Sequence, residues 1–450
     1  MKDVFAKQKA FFLTDQTKAY DYRIEKLTQL YNLIVTYEDD IMRALKKDLN
    51  KSSFEAYTTE IGFSLHSIQK VKKSLKKWMK PKRVKTPFYQ LNTSSFIYPE
   101  PKGTVLIIGP YNYPFQLIIE PLIGAIAAGN TAILKPSEFA KETEKVLLKL
   151  INDHFDEAYL KVFAGEKEVT SELLSLPFDH IFFTGSTKVG QIVYEAAAKH
   201  LTPVTLELGG KSPTIIDHTA NLKVAARRIA FAKFTNAGQT CIAPDYIYAH
   251  QKIHDQFIKE LNDVIIAFYQ NYDEFGTIIN ERHFNRLLNL INKQKVTNNH
   301  RIDAEKLHIS PTVLKDVSWD DPVMQEEIFG PILPVLSYDN EDQLIELLKT
   351  KEKPLALYLF SKRKDLYQKI WRKISFGGGA YNDALMHVSN PYLPFGGVGA
   401  SGMGAYHGQY SFEVFSHMKG YIKRSTWLDL PITYPPYSKK KEALIRKLLK

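Results

Sequence analysis

The feature that most constrains this chain is an alternation of short apolar strands and helices between residues 103 and 208. Apolar runs bounded by Gly, Pro or Asn recur there, separated by segments with helical spacing. Repeated β-α-β units of this length predict an α/β protein with a mostly parallel, doubly wound sheet that binds ligands at its strand C-termini. The predicted strands are 105–108, 131–134, 159–163, 179–183 and 204–208, and the predicted helices are 115–128, 141–152 and 187–200.

Further elements are predicted on both sides of this run. Helical spacing covers 18–48 and 54–79, and segment 86–101 alternates as a strand or arm does. A second α/β unit is predicted after residue 210, with helices at 222–234, 254–269, 281–293 and 341–350 and loops at 296–308 and 319–331.

Length and composition narrow the class of protein. A chain of 450 residues is too long for one core, so we expect two or three domains. A hydrophobic fraction of 44% with 24% charged residues excludes wholesale disorder. One cysteine excludes a disulfide framework and a cysteine-based zinc site. Residues 1–16 lack the apolar core of a signal peptide, so we expect a cytoplasmic protein. We also expect no metal site.

The net charge of +11 is concentrated in two segments. Residues 70–85 hold nine Lys/Arg and no acid, and residues 421–450 hold eight Lys/Arg against two acids. Two interpretations stay open: solvated surfaces, or weak peripheral contact with an anionic membrane through a basic amphipathic helix over 438–450. Neither segment resembles an RNA-binding module, so no nucleic-acid partner is expected. Segment 103–134 carries one charge, Glu120, and its Pro and Gly residues break it into pieces too short to span a bilayer.

The only cysteine, Cys241, follows Asn-Ala-Gly-Gln-Thr and precedes Ile-Ala-Pro-Asp. Most lone cysteines in soluble proteins are small buried hydrophobes, and that is one interpretation of this residue. Its neighbours are instead typical of a loop or helix start with free backbone N–H groups, where a thiol can become a nucleophile. A base, an oxyanion donor and a cofactor site elsewhere would decide between the two.

Two glycine-rich segments fail as nucleotide motifs. Segment 397–402 fits G-x-G-x-x-G but follows Pro-Phe instead of a strand, and segment 185–190 lacks the Lys-Ser/Thr ending of a Walker loop. Segment 185–190 nevertheless follows a predicted strand and opens a helix, whose free N–H groups favour a phosphate.

Seven short motifs occur in a fixed order along the chain. They are Gly-Pro-Tyr-Asn112-Tyr-Pro, Leu-Lys135-Pro-Ser-Glu138, Phe-Thr-Gly185-Ser-Thr-Lys-Val-Gly190, Leu-Glu207-Leu-Gly-Gly-Lys-Ser-Pro, Asn-Ala-Gly-Gln-Thr-Cys241, Gln-Glu-Glu327-Ile-Phe329-Gly-Pro and Leu-Pro-Phe395-Gly-Gly-Val-Gly-Ala-Ser-Gly. In this order and spacing, from about residue 20 to 425, the chain resembles the aldehyde dehydrogenase superfamily. The endings Cys-Ile-Ala-Pro-Asp-Tyr and Gly-Met-Gly-Ala-Tyr-His are similar to its class 3 branch.

The resemblance implies catalytic roles for three residues. Cys241 would attack the aldehyde carbon, and the Asn112 amide and the Cys241 backbone N–H would stabilise the oxyanion. Glu207 matches the general base that hydrolyses the resulting thioester. The alternative for Glu207 is a strand-end carboxylate satisfied by nearby backbone N–H groups.

The resemblance also implies a site for NAD, with NADP as an alternative. Lys135 and Glu138 would hold the adenosine ribose, where a carboxylate favours NAD. The other residues predicted to bind cofactor are Gly185, Ser186, Thr187, Lys188, Val189, Gly190, Gly209, Glu327 and Phe329, and those predicted to line the aldehyde entrance are Tyr113, His387 and Phe395.

The implied fold is a Rossmann-like cofactor domain, an α/β catalytic domain and a small β arm that pairs subunits as a homodimer. The implied activity is oxidation of a medium or long aliphatic, or an aromatic, aldehyde to its acid. A CoA-acylating enzyme is one rival, which Glu207 disfavours, and a non-catalytic membrane-associated scaffold is another. The expected boundaries are 1–80 and 100–206 for the cofactor domain, 207–380 for the catalytic domain, 81–99 and 408–432 for the arm, and 433–450 for a basic tail.

Overall fold

A computed structural model describes residues 1–270, 274–427, 429 and 431–449. The predicted arm and tail therefore include three positions, 428, 430 and 450, that lie outside the described residues. The strands are β1 Lys82–Val84, β2 Thr93–Pro101, β3 Thr104–Ile108, β4 Thr131–Lys135, β5 Leu160–Val162, β6 His180–Thr184, β7 Val204–Glu207, β8 Pro213–Ile216, β9 Tyr246–His250, β10 Ile302–Asp303, β11 His308–Ile309, β12 Thr312–Leu314, β13 Ile332–Tyr338, β14 Ala356–Phe360, β15 Gly378–Tyr381, β16 Gly402–Met403 and β17 Ser416–Arg424.

Helices flank the strands along most of the chain, and a π-helical turn, Tyr57–Ile61, lies between α4 and α5. The helices are α1 Lys2–Phe12, α2 Tyr20–Thr36, α3 Glu38–Leu49, α4 Ser53–Ala56, α5 Gly62–Trp78, α6 Gln116–Ala128, α7 Lys141–Asn152, α8 Lys167–Leu174, α9 Thr187–Ala198, α10 Leu222–Phe234, α11 His254–Phe268, α12 Glu281–Leu288, α13 Glu341–Lys349, α14 Lys364–Lys373, α15 Gln409–Val414 and α16 Lys439–Leu448.

The first sheet has the strand order β16-β7-β6-β3-β4-β5. Five of its strands are parallel, and β16 joins β7 antiparallel. Strands β3, β4 and β6 are buried along their whole length, which explains their uninterrupted apolar sequences. The predicted doubly wound parallel sheet is confirmed.

The second sheet has the order β12-β13-β9-β8-β14-β15, and all of its strands are parallel. It confirms the second α/β unit predicted after residue 210. Two local predictions there are wrong. The helix expected over 281–293 ends at Leu288, and the loop expected over 296–308 includes β10 and the start of β11, which pair as a short antiparallel ladder.

The third sheet is antiparallel, with the order β1-β2-β17. β17 pairs with β2 over nine residues, from Ser416 opposite Pro101 to Arg424 opposite Thr93. Within the described ranges, β17 has no strand on its other side. In the same ranges, no helix is long and apolar enough to cross a membrane.

Candidate active site

The loop that carries Cys241 lies between α10 and β9 and has an unusual backbone. Asn236, Ala237 and Gly238 have φ values of 54°, 51° and 73°, a left-handed conformation that costs a non-glycine residue about 1–3 kcal/mol. Gly238 is required there, because a Cβ would lie 2.3 Å from the Gly330 carbonyl oxygen. The expectation of a loop around the thiol is confirmed.

Cys241 itself is half-buried, with its thiol close to two backbone N–H groups. Burial and the negative charges of Glu327 and Glu207 raise the pKa of the Cys241 thiol well above its usual range. The backbone N–H groups of Cys241 and Ile242 act in the opposite direction and favour the thiolate. The net effect favours the neutral thiol.

Asn112 lies beside this loop, between β3 and α6. Its Nδ2 donates to the Gln239 carbonyl at 2.9 Å, and its own carbonyl accepts from Asn236 Nδ2 at 2.7 Å. An amide nitrogen carries two hydrogens, and among the described residues only one of those on Asn112 is engaged. The second is available to an oxygen near the thiol.

A fully buried ion pair that the sequence analysis missed supports Asn112. The Lys51 ammonium contacts the Glu60 carboxylate and donates to the Asn112 carbonyl at 3.0 Å, and it lies 4.0 Å from the Tyr113 ring centroid. The other Glu60 oxygen accepts from the backbone N–H groups of Phe115 and Gln116 at 2.9 and 3.1 Å. Nothing in the local sequence distinguishes Lys51 and Glu60 from surface charges.

Glu207 ends β7 and is buried to 2% exposure. Neither of its carboxylate oxygens has a hydrogen-bond partner in the described part of the chain. The alternative of a carboxylate satisfied by backbone N–H groups is therefore not what the structure contains. Burial raises the pKa of Glu207 well above its usual range, so the ionised form is a strong base.

Glu327 approaches the same region from the segment before β13. Its carboxylate lies against Gly209, where a Cβ would come 2.1 Å from Oε2, and it accepts from the Gly210 N–H. Burial, followed by the charge of Asp245, raises the pKa of Glu327 to about 8. Gly209 is thus required by the close approach of Glu327.

A second polar cluster missed in the sequence holds that segment in place. Lys211 pairs with Asp245 and donates to the Glu326 carbonyl at 2.8 Å. The other Asp245 oxygen accepts from the Ile328 N–H at 2.9 Å. Both residues lie inside quoted motifs, so the signal was present, but their pairing depends on tertiary contact.

The turn at the start of α9 has the features of a phosphate site. Ser186 caps the helix by accepting from the Val189 N–H at 3.4 Å, and Thr187 Oγ1 donates to the Ala400 carbonyl at 3.1 Å. Gly190 packs on Leu208, which a Cβ would approach to 2.6 Å. The Oγ1 of Thr184, just before the turn, is buried without a partner among the described residues. Gly185 begins the turn, and Lys188 and Val189 are exposed on it. The backbone N–H groups at such a helix start suit a pyrophosphate.

Lys135 and Glu138, the two residues predicted to hold the adenosine ribose, lie close together. The buried Lys135 ammonium donates to the Pro136 carbonyl at 2.6 Å and lies 3.6 Å from Glu138 Oε2. A cation and a carboxylate this close can share the hydroxyls of a ribose. Phe329, with a left-handed φ of 48°, packs edge-on against Tyr111 with ring centroids 5.9 Å apart.

The three predicted aldehyde-lining residues divide into two groups. Tyr113 reaches the thiol loop directly, because its hydroxyl lies 2.7 Å from Thr240 Oγ1. His387 and Phe395 pack together with ring centroids 6.0 Å apart. They reach the loop through Tyr358, whose ring contacts His387 and whose hydroxyl donates to the Ile242 carbonyl at 2.7 Å.

The two parallel sheets, the half-buried thiol of Cys241 and the buried Glu207 carboxylate, which has no partner among the described residues, are typical of an oxidoreductase that uses a thiol. The chain belongs to the aldehyde dehydrogenase family, which its residues 4–421 match. It is an aldehyde-oxidising enzyme of the α/β fold expected for that family. The resemblance drawn from the seven motifs is confirmed.

Individual relatives agree with this assignment. The chain is 52% identical to the 4,4'-diaponeurosporen-aldehyde dehydrogenase of Staphylococcus aureus, over 97% of this chain and 96% of the relative. It is 44% identical to aldehyde dehydrogenase family 3 member A2 of Macaca fascicularis, over 96% and 90%, which confirms the class 3 resemblance. A solved structure, the substrate-bound state of Staphylococcus aureus AldH, matches with a TM-score of 0.98 at 51% identity, covering 100% of this chain and 99% of that one.

Proposed function

We propose that this protein oxidises medium or long apolar aldehydes to carboxylic acids with NAD(P)+, using Cys241 as nucleophile and Glu207 as general base. The observation that carries the proposal is the buried Glu207 carboxylate, which has no hydrogen-bond partner among the described residues and acts electrostatically on the Cys241 thiol. A relative named for an apolar aldehyde, 4,4'-diaponeurosporen-aldehyde, supports the substrate class.

In the first step Cys241 gives its proton to a water molecule, and its sulfur bonds to the aldehyde carbon. The electron pair of the carbonyl π bond moves to oxygen, giving a tetrahedral thiohemiacetal. The free hydrogen of Asn112 Nδ2 and the Cys241 N–H donate to that oxygen. Each such donor contributes about 3–4 kcal/mol to the transition state.

In the second step the thioester on Cys241 is hydrolysed. A nicotinamide cofactor, held by the residues named below, would accept the hydride whose loss gives the thioester. Glu207 then takes a proton from a water whose oxygen attacks the acyl carbon. The carbon–sulfur bond breaks, the acid leaves, and the sulfur is ready for another aldehyde.

The residues around the cleft support NAD as the principal cofactor. The Glu138 carboxylate, 3.6 Å from Lys135, would accept a hydrogen bond from a ribose 2′-hydroxyl and repel a 2′-phosphate. The turn 185–190 would hold the pyrophosphate, and Glu327 the nicotinamide ribose, with Phe329 beside it. Residues 1–80 and 100–206 would form the cofactor domain, and residues 207–380 the catalytic domain.

Assembly and location belong to the same proposal. Two copies would pair through the arm, because the outer edge of β17 has no strand partner among the described residues. The enzyme would work in the cytoplasm, with its basic tail touching anionic lipid. The exposed, lysine-rich helix α16 supports that contact.

The test is NADH and NADPH formation over a panel of aldehydes, with analysis of the product in the absence of CoA. Wild-type enzyme is expected to release free acid, and Cys241→Ser to be inactive. Glu207→Gln is expected to accumulate an acyl-enzyme, heavier than the free chain by the acyl group in intact mass spectra. Near wild-type turnover by Cys241→Ser, or a strict need for CoA, would overturn the proposal.

A further inference from the structure

Lys51 lies two residues after the end of α3, and its side chain has no exposed surface. The backbone just before it is held by the second α/β unit. Asn50 has a left-handed φ of 53°, and its Nδ2 donates to the Phe275 carbonyl at 2.7 Å. The Thr277 N–H donates to the Leu49 carbonyl at 2.9 Å. Two hydrogen bonds therefore fix the point from which the Lys51 side chain starts.

The Lys51 ammonium has three neighbours. It contacts the Glu60 carboxylate, donates to the backbone carbonyl of Asn112 at 3.0 Å, and lies 4.0 Å from the centroid of the Tyr113 ring. An ammonium has three N–H donors, and two oxygens with an aromatic face suit them. A charge without exposed surface is stable only when it is paired and hydrogen-bonded in this way. The mechanism proposed above makes no use of this group.

Glu60 carries the negative charge of the pair and also has no exposed surface. One of its oxygens contacts Lys51, and the other accepts from the backbone N–H groups of Phe115 and Gln116 at 2.9 and 3.1 Å. These N–H groups open α6, where the Phe115 side chain caps none of them. Lys51 and Glu60 together thus hold both ends of the turn from Asn112 to Gln116.

The Asn112 backbone carbonyl also joins this pair to the thiol loop. It accepts from Asn236 Nδ2 at 2.7 Å as well as from Lys51. Asn236 Nδ2 donates in addition to the Gln239 carbonyl at 3.1 Å, which is the acceptor of Asn112 Nδ2 at 2.9 Å. The turn that carries the oxyanion donor and the loop that carries Cys241 therefore share one hydrogen-bond network, and Lys51 is its buried cation.

We propose that Lys51, with Glu60 as its counter-ion, is a positioning residue that aims the free amide hydrogen of Asn112 at the aldehyde oxygen. The inference rests on the proposed function, in which Asn112 stabilises the oxyanion. Both charged side chains lack exposed surface, so neither contacts an aldehyde and both act through Asn112. An oxyanion donor works only at hydrogen-bond distance, and a displacement of about 1 Å costs about 10²-fold in rate.

The test removes both charges at once with Lys51→Met/Glu60→Gln, which leaves no buried charge alone. We expect kcat to fall at least about tenfold while KM changes by less than about twofold, because the positioned donor acts in the transition state. Lys145→Met/Glu142→Gln removes a surface pair, is the matched control and should keep kcat. Wild-type kcat in the buried-pair variant would overturn this inference and leave the proposed function intact.

A cycle with Asn112→Ala shows whether the pair acts through Asn112. Adding Lys51→Met/Glu60→Gln to Asn112→Ala is expected to lower kcat by less than about twofold further, because the donor that the pair positions is already absent. A second full decrease would show an effect independent of Asn112 and would overturn the inference. Wild-type kcat in Asn112→Ala alone would remove the oxyanion role from the proposed function, and this inference with it.

Glu60→Asp is a milder variant for the case in which the pair variant does not fold. It keeps a negative charge beside Lys51 but shortens the side chain that reaches the Phe115 and Gln116 N–H groups. We expect kcat to fall with little change in KM, because the turn is held less firmly. Melting temperatures show that each variant is folded under the assay conditions. Wild-type kcat in folded Glu60→Asp would count against the inference in the same way.

Discussion

At the scale of single residues, the proposed active site combines groups whose ionisation the fold opposes. The thiol of Cys241 and the carboxyls of Glu207 and Glu327 all have raised pKa values, because each is buried close to another potential negative charge or without a partner. The backbone N–H groups expected from the sequence are present near the sulfur, but they do not outweigh this effect. Burial therefore favours the neutral forms of all three groups.

Removing the Asn112 amide tests the oxyanion role. Asn112→Ala is expected to lower kcat by about 10²–10³ with a small change in KM, since one donor to the developing oxyanion is lost. Tyr113→Phe is the control from the adjacent position and is expected to keep most of the activity. The rate of alkylation of Cys241 should change little in Asn112→Ala. A large change would mean that the thiol loop had moved and that the kinetic loss was structural.

Glu120 predicts a pH dependence of stability. Its pKa is about 8 in the folded chain against an ordinary 4.5, so its contribution to stability is full below pH 4.5 and is lost as the pH rises through 8. Glu120→Gln has no such titration. The free energy of unfolding of the variant minus that of wild type should rise by up to about 4 kcal/mol between about pH 5 and pH 8, at about 1.4 kcal/mol per pH unit. Urea unfolding at both pH values measures it, and a constant difference would contradict the prediction.

At the scale of elements, the π-helical turn Tyr57–Ile61 has two functions at once. A π turn inserts an extra residue into a helix, and such turns are frequent at functional sites. Here it places Tyr57 at the edge of a cavity of about 320 Å³ and Glu60 in the buried network under Asn112. The turn brings the Tyr57 ring close to Gly62, where a Cβ would lie 2.8 Å from the ring.

The Lys51–Glu60 pair predicts a strong dependence of each partner on the other. Lys51→Met leaves the Glu60 carboxylate buried without its cation and is expected to cost about 3–5 kcal/mol. The double variant Lys51→Met/Glu60→Gln should be more stable than Lys51→Met alone, because an amide oxygen can still accept from the Phe115 and Gln116 N–H groups. Urea unfolding of the two single variants and the double variant measures the coupling.

Lys145→Met is the matched control for that cycle. Lys145 pairs with Glu142 on the surface, where solvent screens an ion pair and leaves it little effect on stability. Equal decreases in the free energy of unfolding for Lys51→Met and Lys145→Met would show that burial does not strengthen the Lys51 contact.

At the scale of the whole molecule, the site is assembled from segments far apart in the chain. Asn112 follows β3 and Glu207 ends β7 in the first sheet, and Cys241 and Glu327 come from loops before β9 and β13 in the second. Segments at the ends of parallel strands collect at the edges of a sheet. The third sheet, β1-β2-β17, and helix α16 lie outside both.

The outer edge of β17, which has no strand partner among the described residues, predicts dimerisation. Met418 and Ile422 are exposed and project from the same face of the strand, as residues four apart do. Met418→Asp/Ile422→Asp is expected to shift the mass measured by analytical ultracentrifugation from dimer toward monomer. The control Ile266→Asp/Phe268→Asp alters two exposed apolar residues of α11 instead. A wild-type monomer at all concentrations would contradict the prediction.

The tail predicts salt-sensitive membrane contact. Wild-type protein is expected to float with vesicles rich in anionic lipid at low salt and to be released at high salt, because screening weakens the attraction. Replacing Lys439, Lys440 and Lys447 of α16 with Gln should abolish flotation. The same replacement of Lys223, Lys252 and Lys259, which are exposed elsewhere, should not. Indifference of wild type to anionic lipid would exclude the contact.

The sequence alone determined the parallel sheet, the loop character around Cys241 and the family, because strands, helices and short motifs are encoded by neighbouring residues. It did not reveal that Lys51 and Glu60 are fully buried, or that the Glu207 oxygens have no partners among the described residues. Burial and pairing arise from contacts between residues far apart in the chain, such as Asn112 and Asn236, which are 124 positions apart, and only the tertiary structure brings these together.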